Sequence, residues 1–120
     1  MSQLTQIEID MIQEIEKCFY KHLVAGALTE GLLDVERADN CTAGYYATLI
    51  FGGGEFRGQA RQFSVEFVTP GCLDENSNAC VYGAVLLEQD GKVREIELFS
   101  YLCPVPRSFP SCQIIGVTEM

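Results

Sequence analysis

Apolar positions near the start of the chain recur every three or four residues: Leu4, Ile7, Met11, Ile12, Ile15, Cys18, Phe19 and Leu23, with His22 on the same stripe. That period predicts an amphipathic helix over residues 4–23. Glu8, Asp10, Gln13, Glu14, Glu16, Lys17 and Lys21 fill much of the other side. Thr5 and Glu8 have the spacing of a capping box, and Leu4 and Ile9 stand at the positions of a hydrophobic staple. Ser2 is a second candidate cap. Acidic residues cluster early and lysines late, which suits the helix dipole. Gly26 ends or bends this helix, and a short turn over Ala27–Glu30 is expected before Gly31.

From Leu32 the period shortens to two, the signature of strands. Leu32–Ala38 is a modest strand candidate. Thr42–Phe51 is stronger, with Tyr45, Ala47, Leu49 and Phe51 on one side and Tyr46, Thr48 and Ile50 on the other. Apolar character on both sides predicts an interior strand. Gly52-Gly53-Gly54 and Gly58 then form a loop. Gln62–Val68 alternates with Phe63, Val65 and Phe67 inward, and Pro70-Gly71 is expected to end it. Cys72–Ala79 reads as a polar loop. Cys103–Cys112 holds three of the four prolines, so it is expected to be a stiff surface loop. Gln113–Val117 is a last strand.

The clearest hairpin is Cys80–Leu102, where Asp90-Gly91 separates two β-rich runs. A type I′ turn needs positive φ at both central residues, and Asp-Gly supplies it at low cost. An uninterrupted register then sets Gln89 opposite Lys92, Leu87 opposite Arg94 and Val85 opposite Ile96, with Gly83 opposite Leu98 and Tyr82 opposite Phe99. Gly83, Val85, Leu87, Ile96 and Leu98 become the core face. Tyr82, Leu86, Glu88, Glu95, Glu97, Phe99 and Tyr101 form the other face, which mixes aromatics with carboxylates. Such a face is either a plain wet side of an antiparallel sheet or a surface for a basic partner, in which aromatics supply area and glutamates supply charge. The fold class predicted is α+β: an N-terminal amphipathic helix packed on a mostly antiparallel sheet of about five strands, as one domain over residues 1–120.

Composition changes this picture in three ways. The net charge is −9, from 17 acidic and 8 basic residues among 120. The acids are spread along the chain, so nucleic acid and anionic membranes are poor partners. No apolar run has the length of a membrane helix, and the first residues do not form a secretory signal, so a cytoplasmic location is expected. Six cysteines stand without a Cys-x-x-Cys motif. Cys72 with Cys80 and Cys103 with Cys112 bracket loops and are the easiest bridges under oxidising conditions; reduced thiols are the default for a cytoplasmic chain.

Signals for catalysis are few. A nucleophilic triad needs a base, and His22 is the sole histidine. Its helical spacing from Cys18 and Phe19 favours a structural role. Glu95 and Glu97 share a strand face beside solvent rather than a pocket. Gly52-Gly53-Gly54-Glu55 lacks the Lys and the helix of a phosphate loop. Asp74-x-Asn76-x-Asn78 has the first ligand spacing of a calcium loop, but Ala79 and Val85 replace its glycine and glutamate. No enzyme activity, cofactor or metal is expected.

The stretch Val93–Pro110, in which Glu97–Tyr101 (ELFSY) runs into a Pro-rich turn, together with the general layout, resembles the small acidic immunity proteins of contact-dependent inhibition and other polymorphic toxin systems. The resemblance implies a bacterial cytoplasmic inhibitor that binds a cognate toxin domain. Toxin nucleases are commonly basic, and an acidic, aromatic face would complement them. The expected contact residues are Tyr82, Glu95, Glu97, Phe99 and Tyr101, with Asp74 and Glu75 as rim acids. An alternative is a helix-on-curved-sheet pocket protein, cystatin-like or similar to nuclear transport factor folds, binding or transforming a small molecule. A secretion chaperone fits less well, because those end in a helix. Nothing in the sequence selects between a monomer and a dimer.

Overall fold

A computed structural model describes residues 3–39, 44–73, 79–100 and 113–120. The capping box forms as the spacing predicts. Glu8 N donates to Thr5 Oγ1 at 3.4 Å, and Thr5 N donates to Glu8 Oε1 at 2.8 Å. The helix α1 runs over Gln6–Phe19 and buries Ile7, Met11, Ile12 and Ile15. It ends four residues earlier than the apolar period suggests. Tyr20 leaves the helix at φ −128°, and its ring drops edge-on against Phe63 at 5.9 Å. Burial of that ring outweighs one more helical turn, and His22 is left exposed. Gly26, at φ +88°, supplies the left-handed step into a 3-10 turn over Ala27–Thr29. Glu16, itself nearly buried, accepts from Gly26 N at 2.8 Å and fixes that step.

Six strands follow: β1 Leu32–Asp39, β2 Tyr45–Phe51, β3 Arg61–Leu73, β4 Ala79–Gln89, β5 Lys92–Ser100 and β6 Gln113–Glu119. The sheet has one strand more than the expected five, because the modest β1 candidate is a full strand paired along β2. Strand order is β1-β2-β5-β4-β3-β6, with every neighbour antiparallel. Strand β2 is interior, as its two apolar sides predict. Strand β3 continues past Pro70-Gly71 to Leu73, with an irregularity after Thr69 that accommodates the proline. Helix α1 lies over one sheet face. Val35, Tyr45, Ala47, Leu49, Phe63, Val65 and Phe67 are buried beneath it, with Ala84, Leu86, Ile96 and Leu98. Each fully buried large aliphatic or aromatic side chain contributes about 1.5–3 kcal/mol.

The hairpin turn is as predicted, with Asp90 at φ +54° and Gly91 at φ +80°. Its register is not. Gln89 faces Lys92 and Glu88 faces Val93, but Leu87 then faces Glu95. Arg94 is the extra residue of a β-bulge, which inverts the alternation of β5 relative to the turn. Leu86 therefore faces Ile96 and Ala84 faces Leu98, all four within the core. The covered side of β4 is Tyr82, Ala84, Leu86 and Glu88, and Val85 and Leu87 turn to the opposite face. A one-residue slip exchanges the two faces of a strand, and it does so here for β4.

The connection from β2 to β3 must cross the ends of β5 and β4, and the hairpin tip holds it there. The Asp90 carboxylate accepts from Arg57 N at 2.8 Å, and Gln89 Nε2 donates to Gly58 O at 2.6 Å. The Arg94 guanidinium stacks on Phe56, 4.2 Å from the ring centroid. Arg94 thus bulges at the point where its side chain binds the crossing loop.

Candidate functional site

The sheet has a second face, opposite α1, and its composition differs from the first. Register fixes which residues neighbour one another across it. One row runs Ala38, Tyr46, Glu97, Val85, Ser64, Thr118. The next runs Glu36, Thr48, Glu95, Leu87, Gln62. On the other side of the first row Phe99, Gly83, Glu66 and Gly116 are neighbours. Tyr46 is 41% exposed. Glu36, Glu66 and Glu95 are exposed, and Glu97, Phe99, Val85 and Leu87 are half-buried.

Among the described residues, no Lys or Arg lies in these rows. Arg37 pairs with Glu8 on the covered side, and Lys92 Nζ donates to Ala27 O at 3.0 Å. Arg61 makes a two-pronged contact with Glu119, 2.8 and 3.0 Å, while its guanidinium lies over the Tyr20 ring. Arg94 is held at the hairpin tip. The open face thus carries negative charge beside aromatic and aliphatic area.

The expected contact residues divide. Glu95, Glu97 and Phe99 lie together on the open face. Tyr82 does not: it is 1% exposed and stacks on Phe67 at 5.5 Å beneath the helix layer. The bulge at Arg94 is the physical reason, because it moves Tyr82 to the covered side. Tyr101, Asp74 and Glu75 lie outside the described residues, as do the Asp74–Asn78 calcium-like spacing, the Pro-rich loop and the side chains of the two cysteine pairs. Tyr46, Glu36, Glu66, Val85 and Leu87 were not expected at the site. Alternation along β1, β2 and β3 marks Tyr46, Glu36 and Glu66 as facing away from the core. What places them beside Glu95 and Glu97 is strand order, which no short-range pattern encodes.

A second polar cluster lies on the covered side. Glu8 is fully buried, and its carboxylate accepts from Thr5 N, from Arg37 and from the Tyr45 hydroxyl at 2.8 Å. Burial, and then the Glu8 charge, push the Tyr45 hydroxyl well above its ordinary pKa. Arg37 also donates to Gln3 O at 2.9 Å. Arg37, Ala38, Asp39 and Tyr45 border a cavity of about 250 Å³. Every polar atom named here already has a structural partner, so the cluster pins the helix start to β1 and β2. Similarly, Glu88 is nearly buried and accepts from Gly91 N at 3.0 Å, closing the hairpin turn.

Among the described residues no cluster of His, Cys, Asp and Glu has the arrangement of a metal site. No described helix is long and apolar enough to cross a membrane. Over the described residues, fold and site define an α+β protein with one α-helix on a six-stranded antiparallel sheet and an acidic, aromatic open face. Compared with protein-family models, curated proteins and solved structures, the chain has no match.

Proposed function

We propose that this protein is a non-enzymatic binding protein of the immunity type, which docks a basic toxin domain on the open face of its sheet. The observation that supports this reading is the placement of Glu36, Glu66, Glu95 and Glu97 around Tyr46 and Phe99, with no Lys or Arg among the described residues of these rows. Carboxylates steer a basic partner and suppress acidic ones. Aromatic side chains supply the contact area that fixes it. The partner occupies Glu95, Glu97, Tyr46 and Phe99 and is blocked at its own active site or substrate surface. Binding takes place in the cytoplasm of a bacterial cell.

The pocket-protein reading needs a histidine and a carboxylate facing a cavity between helix and sheet. His22 is exposed beside Tyr20, and it is not among the described residues that border the covered-side cavity at Arg37, Asp39 and Tyr45. The binding reading is tested by capture on the tagged protein from its source cells. The expected result is one basic protein, retained in stoichiometric amount, whose toxicity falls on co-expression and whose retention is lost with Glu95→Lys/Glu97→Lys. Retention that survives the double charge reversal places the interface elsewhere. Absence of a specific partner in cells expressing toxin domains contradicts the reading.

A further inference from the structure

The two edges of the sheet are guarded differently. An edge strand presents unpaired N–H and C=O groups to any extended chain, and charged side chains, prolines and bulges keep such chains away. Strand β1 carries four charges in eight residues, Asp34, Glu36, Arg37 and Asp39. Strand β6 has no Lys, Arg or Pro, and its one charge, Glu119, is tied to Arg61. Among the described residues β6 pairs with β3 alone. An irregularity at Ile115 interrupts its first half, but residues 116–119 pair regularly. Met120 N donates to Gln62 O at 2.8 Å. Backbone groups alternate in direction along an antiparallel strand. Thr118 and Gly116 therefore turn theirs to β3, while Val117 and Glu119 turn theirs outward. Gly116 lies opposite Glu66, an exposed carboxylate that no hydrogen bond or ion pair holds among the described residues. Space around the missing Cβ of Gly116 is open, so the way from the edge to Glu66 is clear.

We infer that residues 116–119 are a docking edge for an extended basic segment of the partner, which adds to the sheet as an antiparallel seventh strand with a Lys or Arg opposite Gly116. The sign and source of that segment rest on the binding reading above. Its backbone bonds to Val117 and Glu119. Its cation lies on the open face, two strand spacings or about 9.6 Å from the strand of Glu66. An Arg and a Glu side chain span that gap between them when no side chain stands at Gly116. Charge disfavours a second copy as the occupant, because self-pairing brings together two chains of net charge −9. Glu66 borders both this edge and the open face, so one partner engages the two together.

The test uses the full chain and a short synthetic peptide of alternating Val and Arg, in three forms: unmodified, N-methylated at the Val residues, and N-methylated at the Arg residues. N-methylation of Val should weaken binding at least about tenfold, and N-methylation of Arg should not, because only the Val N–H groups face β6 in this pairing. Any other order of the three peptides overturns the inference. With the unmodified peptide bound, the Val117 and Glu119 amides should exchange more slowly, while those of Gly116 and Thr118, already turned to β3, should change little. Unchanged exchange at Val117 and Glu119 also overturns it. Gly116→Thr is compatible with the fold, since Gly116 lies outside the left-handed region and a Cβ there meets open space. It should weaken the unmodified peptide at least about threefold, as should Glu66→Gln. Equal affinity for both variants and the wild-type chain removes Glu66 from the site and overturns the basic specificity. A dimer in sedimentation whose Val117 and Glu119 amides are protected without peptide gives the edge to a second copy and overturns the inference. Absence of peptide binding, when the captured basic partner binds at Glu95 and Glu97, rejects the docking edge while sparing the binding reading.

Discussion

The two faces of the sheet use carboxylates in opposite ways. Beneath the helix, each buried acid has a backbone partner: Glu8 holds Thr5 N, Glu16 holds Gly26 N and Glu88 holds Gly91 N. A buried charge is tolerated only when it is hydrogen-bonded or paired, and each of these marks a helix start or a turn. On the open face, Glu36, Glu66 and Glu95 are exposed, and among the described residues no hydrogen bond or ion pair holds them. Their mutual repulsion favours neither the turns nor the sheet. The contrast separates acids that build the fold from acids that are free to serve an interaction.

The largest effect that separates the faces is expected at Glu8. Glu8→Ala leaves Arg37 and the buried Tyr45 hydroxyl without their acceptor and removes one arm of the capping box. It should cost about 3–5 kcal/mol, read from urea unfolding. A core truncation such as Leu86→Ala should cost about 2–5 kcal/mol. Leu87→Ala, one residue away on the other face, should cost clearly less. Equal losses at the two positions would contradict the bulged register, which alone puts Leu86 inside.

Smaller effects come from the hairpin tip. A Cβ at Gly58 would collide with the Asp90 carboxylate, so Gly58→Ala should turn that carboxylate away from Arg57 N and destabilise by about 0.5–1.5 kcal/mol, the worth of one hydrogen bond. Backbone N–H donors of Arg57 and Gly58 hold the Asp90 carboxyl below its ordinary value of 3.8. A depressed folded pKa means stability that is present above the ordinary value and lost as pH falls through the folded one. Asp90→Asn should therefore flatten the acid limb of the stability profile below about pH 4. Tyr45 has the opposite sign. Its pKa is raised above the ordinary 10.0 by burial and then by Glu8. Its contribution is full below the ordinary value and is lost as pH climbs above it. Tyr45→Phe should reduce the alkaline sensitivity of the urea midpoint.

How much of this was legible in the sequence depends on the range of the interaction. The capping box at Thr5 and Glu8, the Asp90-Gly91 turn and the alternation of β2 and β3 are local, and each appears where its residues predict. Tyr20 ends the helix early because of a contact with Phe63, more than forty residues away. The face assignment of β4 failed for a similar reason. Val85 and Leu87 are as apolar as Ala84 and Leu86, so pattern alone does not choose between them. The choice is made by the Arg94 bulge, and that bulge accompanies Arg94 stacking on Phe56 in a separate loop. At the site, Glu95, Glu97 and Phe99 were visible as one strand face. Tyr46, Glu36 and Glu66 joined them only through the order β1-β2-β5-β4-β3.

The smallest effect on stability is expected where the effect on binding is largest. Glu95→Lys/Glu97→Lys alters one exposed and one half-buried side chain on a face of like charge. Of the two changes, Glu95→Lys alone, at an exposed side chain that no hydrogen bond or ion pair holds among the described residues, should move the unfolding free energy by no more than about 0.5 kcal/mol. The most direct measurement is a titration of the captured basic partner against the wild-type chain and this double variant, at a protein concentration where both are folded. The account predicts a loss of affinity of at least about 30-fold, the scale of a charge pair broken within an interface. An unchanged affinity would contradict it and return the open-face glutamates to the role of solvated surface.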